Sequence, residues 1–287
     1  MKVKKAVIPA AGFGTRMLPA AKAVPKEMIC IAGKPAIHYI VKEAVESGIE
    51  DILIITSRGK SAIEDYFDYS PELEARLEKS GKVDTVREIR EIADMANVTF
   101  VRQKELLGLG HAVLHAKRFT GDEPFAVLLG DDIMCSDVPV TKQLIENAEK
   151  YNCSCVGVKS VETSEISKYC TLDVTPVSED IFDVHKLIEK PTPDKVLSNY
   201  AILGRYVLTS GIYDLLENAV PGFGGEIQLT DALNLLCRKE RMLALNFEGK
   251  RFDSGNIFGY MEASIQLALH DPNISEWLKS YMKGLTF

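Results

Sequence analysis

Residues 10–28, AAGFGTRMLPAAKAVPKEM, place two glycines and three cations just after a short apolar run of Ala6, Val7 and Ile8. Gly12 and Gly14 relieve the backbone of side-chain sterics, so its N–H groups can lie close to a ligand. Arg16, Lys22 and Lys26 add fixed positive charge. Backbone donors combined with side-chain cations suit a polyphosphate, and the stretch reads as a cradle for a nucleoside triphosphate. Two further places could carry chemistry. Asp131 and Asp132 come directly after an apolar run, and Asp253 stands in Arg251-Phe252-Asp253-Ser254-Gly255. Carboxylates at the ends of buried strands are costly unless they face a site and meet a cation.

Two other phosphate-binding loops are excluded by spacing. A dinucleotide fingerprint requires a third glycine where Met17 stands, and an acidic residue closing a second strand about twenty residues on. Residues 31–35, IAGKP, do not read as a strand. Arg58-Gly59-Lys60-Ser61 imitates the end of a P-loop, but Ile54 occupies the place of its first glycine. That segment reads as a turn with Ser61 capping a helix.

G-x-G-T-R at residues 12–16, followed by P-K-E-M at residues 25–28, resembles the signature loop of sugar-1-phosphate nucleotidylyltransferases, and among them the bacterial UTP–glucose-1-phosphate uridylyltransferases. The resemblance runs through nearly the whole chain. It implies transfer of the uridylyl group of UTP to glucose 1-phosphate, giving UDP-glucose and pyrophosphate. It assigns catalysis to Arg16, Lys26 and Lys190, and Mg²⁺ to Asp131 and Asp253. Mg²⁺ is suited by one or two carboxylates plus phosphate oxygens and water. Nucleotide contacts fall to Ala11, Gly12, Gly14, Thr15, Glu27, Gln103 and Gly108. For Glu27 base contact, loop positioning and an exposed carboxylate near Lys26 are all open, while the Gln103 amide can donate to and accept from uracil. The sugar phosphate falls to Asp132, Cys170, Glu189, Lys190 and Gly204. Three positions depart from the family pattern: Ala21 for a usual threonine, Cys170 for a glycine whose backbone faces the sugar, and Asn256-Ile257 for a Ser-Lys pair; Cys170 and Ile257 leave the sugar open. A thymidylyltransferase, another hexose 1-phosphate and a non-catalytic nucleotide-sugar sensor remain as alternatives.

Apolar residues make up 46% of the 287, enough for a sizeable core, and the net charge is −7. An acidic chain without a basic tract is not a nucleic-acid binder. No apolar stretch approaches membrane-spanning length. The six cysteines are scattered without C-x-x-C pairs, as expected of reduced, buried thiols in the cytoplasm.

These residues need a scaffold that brings distant segments together. Apolar runs at residues 6–9, 51–56, 98–101 and 125–129 alternate with helical patterns, which predicts an α/β fold with a parallel sheet wrapped by helices. The resemblance refines this to a Rossmann-like, mixed but mostly parallel sheet of the glycosyltransferase-A type. Ligands on such sheets sit beyond the carboxyl ends of the strands, where residues 9–26, 103–110 and 130–132 all fall. Strands are also expected near residues 153–161, 170–177, 181–188, 200–208 and 243–247. A helix is expected within residues 225–240, and residues 251–253 should close the sheet. We expect one domain over residues 1–287, with a nucleotide half (1–135), a sugar-phosphate half (136–256) and C-terminal helices (257–287). Apolar faces on those helices suit a homo-oligomer, a dimer or tetramer, or simple docking on the core.

Overall fold

The computed structural model describes residues 1–285; residues 286 and 287, at the end of the expected C-terminal helical segment, lie outside them. The first half runs β1 (Lys5–Pro9), β2 (Cys30–Ile31), β3 (Lys34–Pro35), α1 (Ala36–Glu46), β4 (Asp51–Thr56), α2 (Ser61–Phe67), α3 (Pro71–Lys79), α4 (Val83–Ala93), β5 (Asn97–Arg102), α5 (Leu109–Leu114), α6 (Lys117–Thr120) and β6 (Phe125–Leu128). It continues with β7 (Asp132–Cys135), α7 (Val140–Tyr151), β8 (Ser154–Ser160), β9 (Cys170–Pro176), β10 (Ile181–Glu189) and β11 (Tyr200–Leu208). The chain closes with α8 (Ile212–Glu217), α9 (Leu229–Leu236), β12 (Met242–Asn246), β13 (Lys250–Asp253), α10 (Ile257–His270) and α11 (Ser275–Lys283).

Nine strands form one sheet in the order β5-β4-β1-β6-β11-β8-β12-β10-β9. Only β10 and β11 run against the other seven. The apolar runs explain its interior. Successive side chains of a strand point to opposite faces, and here both faces are covered. Ala6, Ile8, Ile52, Ile54, Ala126 and Leu128 enter one core cluster. Val7, Leu53, Ile55, Phe125 and Val127 enter the other. Helix α1 packs Ile37, Ile40, Val41 and Ala44 inward and stops at Gly48, whose φ of 87° suits glycine. Helices α3 and α4 form a charged, largely exposed excursion tied by Arg90 to Glu74 at 2.6 Å.

Three local expectations change. Residues 30–35 form a two-strand hairpin, β2 with β3, because Gly33 at φ 89° permits the tight reversal. Ser61 begins α2 without a capping hydrogen bond. The helix expected within residues 225–240 is present as α9, Leu229–Leu236, while residues 226–227 are drawn against the loop before α5. Lastly, β13 does not join the main sheet. It pairs with β7 in a separate ribbon whose register sets Asp253 beside Asp132.

His38, on α1, is buried between Tyr39 and Tyr66, with the Tyr66 hydroxyl 3.0 Å from its Nδ1. Burial, with smaller help from Lys34 and Lys42, lowers its pKa to about 4. In the unfolded chain a histidine titrates near 6.5, so that state binds the proton first as pH falls. The stability due to neutral His38 is therefore complete above about pH 6.5 and lost on acidification toward pH 4. Urea unfolding at pH 7 and pH 4.5 should show wild type losing about 2–3 kcal/mol more than His38→Gln between the two conditions.

Candidate active site

Residues 10–28 cross the carboxyl ends of β1 and β4, anchored where the Ala10 amide donates to the Ile55 carbonyl at 2.8 Å. At Gly14 the chain turns left-handed, with φ 67°, and passes so close to Lys26 that a Cβ would stand 3.0 Å from the lysine Cβ. Glycine at 14 is thus what lets the two ends of the loop meet. They border a cleft of about 510 Å³ lined by Ala11, Gly12, Gly14, Thr15, Lys26, Gln103, Gly108 and Asp131. Gln103 is buried; its Nε2 donates to the Gly108 carbonyl at 3.2 Å and lies 3.0 Å from His111 Nδ1. Gly108, at φ 101°, lies against Glu226 and Ile227, so that wall of the cleft is shared with the segment preceding α9.

Glu27 is the one expected nucleotide residue that does not face this cleft. It is fully buried beneath the loop, with Lys60 Nζ 2.8 and 2.9 Å from its two oxygens and 2.5 Å from the Ala10 carbonyl. Burial raises the pKa of Glu27 and lowers that of Lys60, each shift partly offset by the other's charge. Full burial excludes the exposed carboxylate, and the Lys60 contacts put Glu27 beneath the loop, outside the cleft lining. Lys60 escaped the sequence reading, because the P-loop-like turn drew attention only to Ser61.

Four charged side chains meet at the mouth of the cleft. Lys26 Nζ is 2.5 Å from Asp131 Oδ2, and Arg16 Nη1 is 2.8 Å from Asp253 Oδ2. Arg16 Nη2 also reaches Asp131 at 3.5 Å. Ser254 donates twice to the Asp131 carbonyl, from its amide at 2.9 Å and its hydroxyl at 2.8 Å, coupling the two aspartate segments. A Cβ at Gly255 would run into Asp131, Arg16 and Asp253 alike. Burial alone would raise the Asp131 pKa, but Lys26, Arg16 and Arg251 hold it below the ordinary carboxylate range. Burial would likewise lower the pKa of Lys26, yet Asp131 and Glu27 raise it, so it stays a cation.

Asp132 sits behind this cluster, almost fully buried, with Arg251 Nε at 2.6 Å from its Oδ1. Burial carries its pKa to about 6 against the pull of Arg251. Arg251 also contacts the Tyr169 hydroxyl at 3.2 Å and Asp253 at 3.8 Å. The sequence offered no signal for this third cation beyond its place two residues before Asp253. Gly204, at φ 69°, lies against the Asp132 carboxylate with no room for a Cβ. Cys170, Glu189 and Lys190 stand together at the β9–β10 edge, outside the lining of the 510 Å³ cleft. The Cys170 thiol is buried and belongs to the second core cluster. Glu189 accepts from the Thr230 hydroxyl at 2.7 Å. Lys190 is exposed on a left-handed backbone, φ 42°, with its amide bonded to the Tyr169 carbonyl at 2.9 Å.

Among the described residues no group of three or more His, Cys, Asp or Glu is arranged to hold a metal. Asp131 and Asp253 nevertheless converge over Gly255. Two carboxylates open to a phosphate cleft fit a hard cation that completes its shell with substrate oxygens and water.

A glycine loop with interleaved cations, set over the carboxyl ends of a mostly parallel sheet with two aspartates at its rim, defines a nucleotidyltransferase site. The chain belongs to the nucleotidyl transferase family, whose model matches residues 5–269. Enzymes of this family generally use a divalent metal. The chain is 52% identical over 284 residues to the UTP–glucose-1-phosphate uridylyltransferase YngB of Bacillus subtilis, covering 99% of this chain and 96% of that one. Among solved structures it resembles a UTP-bound UGPase from Acinetobacter baumannii (TM-score 0.92, 38% identity, 99% and 100% of the two chains). It also resembles a UDP-glucose pyrophosphorylase in complex with UDP-glucose (TM-score 0.86, 40% identity, 94% and 100%). No helix among the described residues is long and apolar enough to cross a membrane.

Breaking a buried ion pair by removing one partner costs about 3–5 kcal/mol, whereas replacing both by apolar groups is often neutral. Lys60→Met should therefore lose roughly that much in urea unfolding, and Glu27→Leu/Lys60→Met should regain most of it.

Proposed function

We infer that this enzyme transfers the uridylyl group of UTP to glucose 1-phosphate, releasing UDP-glucose and pyrophosphate. The observation that carries the reading is the meeting of Arg16, Lys26, Asp131 and Asp253 at the mouth of a cleft lined by the glycine loop and Gln103. Full-length similarity to a uridylyltransferase and to UTP- and UDP-glucose-bound structures supports it. The single sheet running through both halves supports reading the chain as one nucleotidyltransferase domain. Dependence on UTP suits a cytoplasmic enzyme.

A phosphate oxygen of glucose 1-phosphate attacks the α-phosphorus of UTP. The bond from that phosphorus to the bridging oxygen breaks in line, and pyrophosphate leaves with the electron pair. The attacking monoester is largely dianionic near neutral pH, with a second pKa of about 6, so no side chain need remove a proton. Catalysis then consists of positioning and charge neutralisation. The loop amides at Ala11, Gly12, Gly14 and Thr15 receive the triphosphate. Gln103, steadied by Gly108 and His111, reads the uracil edge. Arg16 and Lys26 exchange their carboxylate partners for phosphate oxygens and stabilise the charge that develops on the leaving group. Glu189 and Lys190 orient the sugar phosphate, the lysine as a point charge. Asp131 and Asp253 would hold Mg²⁺, which neutralises phosphate charge when bound. Asp132 and Gly204 support the Asp131 turn from behind.

The direct test is pyrophosphate release with UTP and glucose 1-phosphate, compared at equal concentration with dTTP and with other hexose 1-phosphates. The expected result is a clear preference for the first pair; tight UDP-glucose binding without turnover would instead indicate a sensor. Lys26→Ala should lower kcat by about 100- to 1,000-fold, as for other removed transition-state donors, and raise KM for UTP far less. Near-normal turnover in that variant would remove Lys26 from the mechanism. Chelation of divalent ions should abolish pyrophosphate release, and added Mg²⁺ should restore it, as initial rates will show.

A further inference from the structure

Behind Asp132 lies an ion pair that this chemistry does not use. Arg205, on β11, is fully buried. Its Nε and Nη2 donate to the Glu43 carboxylate at 3.0 and 2.6 Å. Nη1 donates to the Gly204 carbonyl at 3.0 Å, and Nη2 also donates to the Asp132 carbonyl at 2.7 Å. Glu43, on α1, in turn accepts from the amide and hydroxyl of Thr141 at the start of α7, at 3.0 and 2.7 Å. Stability alone gives little reason for such a pair, because well-packed apolar residues of similar volume often hold a core at least as firmly. A guanidinium adds geometry: a rigid planar fork that reaches several fixed acceptors at once. Here the acceptors are a helix carboxylate and the carbonyls on either side of the Gly204–Asp132 contact.

We propose that the Glu43–Arg205 pair is the positioning device that fixes the Asp131 carboxylate, and through it Lys26 and Arg16, relative to the nucleotide cleft. The Asp132 carbonyl held by Arg205 is one peptide from Asp131, whose own carbonyl is held by Ser254. The segment is thus gripped on both sides, from α1 behind and from the β13 end in front. Among the described residues, Glu43, Arg205 and Thr141 form no hydrogen bond with residues 11–15 or 103–108. Loosening the pair therefore disturbs the aspartate turn more than the glycine-loop and Gln103 contacts that receive the nucleotide.

The proposal rests on the uridylyltransferase reading, which wild-type turnover of UTP with glucose 1-phosphate decides independently. Two variants test the pair. Arg205→Lys keeps a charge opposite Glu43, but one ammonium cannot reach Glu43, Gly204 and Asp132 in a single plane. Glu43→Gln keeps the shape and weakens the hold on Arg205. At a temperature where circular dichroism shows each variant folded, kcat per folded molecule should fall about 100-fold for Arg205→Lys, the scale of a roughly 1 Å misplacement, and less for Glu43→Gln. KM for UTP should stay within about threefold. A purely structural role would lower the melting temperature and leave kcat per folded molecule unchanged. The proposal is overturned if both folded variants keep kcat within about threefold of wild type, or if the loss lies wholly in KM. Should Arg205→Lys fail to fold, Glu43→Gln alone decides by the same criteria.

Discussion

Three carboxylates packed around one turn would repel one another strongly, and the rest of the site is arranged to keep them together. Asp132 and Asp253 face each other across the β7–β13 ribbon, where like charges directly opposite are destabilising. Arg251 lies between them, bonded to the first and 3.8 Å from the second. Asp131 projects the other way and is matched by Lys26 and Arg16. The cations come from two remote segments, Arg16 and Lys26 from the glycine loop and Arg251 from β13. The sheet brings them together: β1 delivers the glycine loop, β6 ends at the aspartates, and β11 runs behind with Gly204.

The two halves of the molecule differ in how they present their groups. The 510 Å³ cleft has glycines at points of close approach, and two segments remote in sequence join there. The Ile227 amide donates to the Leu107 carbonyl at 2.7 Å, and the Gly110 amide donates to the Ile227 carbonyl at 2.9 Å. Glu189 ends β10 opposite Cys170 on β9, and the exposed Lys190 follows it on a left-handed backbone.

Much of the frame was legible in the sequence because burial on both faces leaves an unbroken apolar signature. The strands β1, β4 and β6 were visible as runs of Val, Ile, Leu and Ala, and α1 as a periodic stripe with a glycine stop. The cationic loop was legible for another reason: glycine and charge are adjacent there in the chain. Lys60, Glu43, Arg205 and Arg251 were not, because each owes its meaning to a partner far away in sequence, 162 positions in the case of Arg205 and Glu43. A buried charge has no periodicity, and only the fold shows what neutralises it. The same limit explains β13, whose partner strand is fixed by the position of the aspartates and not by its own pattern.

In the free enzyme, Lys26 and Arg16 already have anionic partners at 2.5 and 2.8 Å. An incoming polyanion therefore swaps counterions and does not meet bare charge, so its affinity is a difference between two electrostatic states. Dissolved salt screens exposed charges over a Debye length of about 8 Å at physiological ionic strength. It weakens the resident pairs together with the attraction for substrate. Arg16, the more exposed of the two cations, feels this most. The protein meets its ligand with a local field near neutrality, and this holds an otherwise repulsive constellation in its working shape between turnovers.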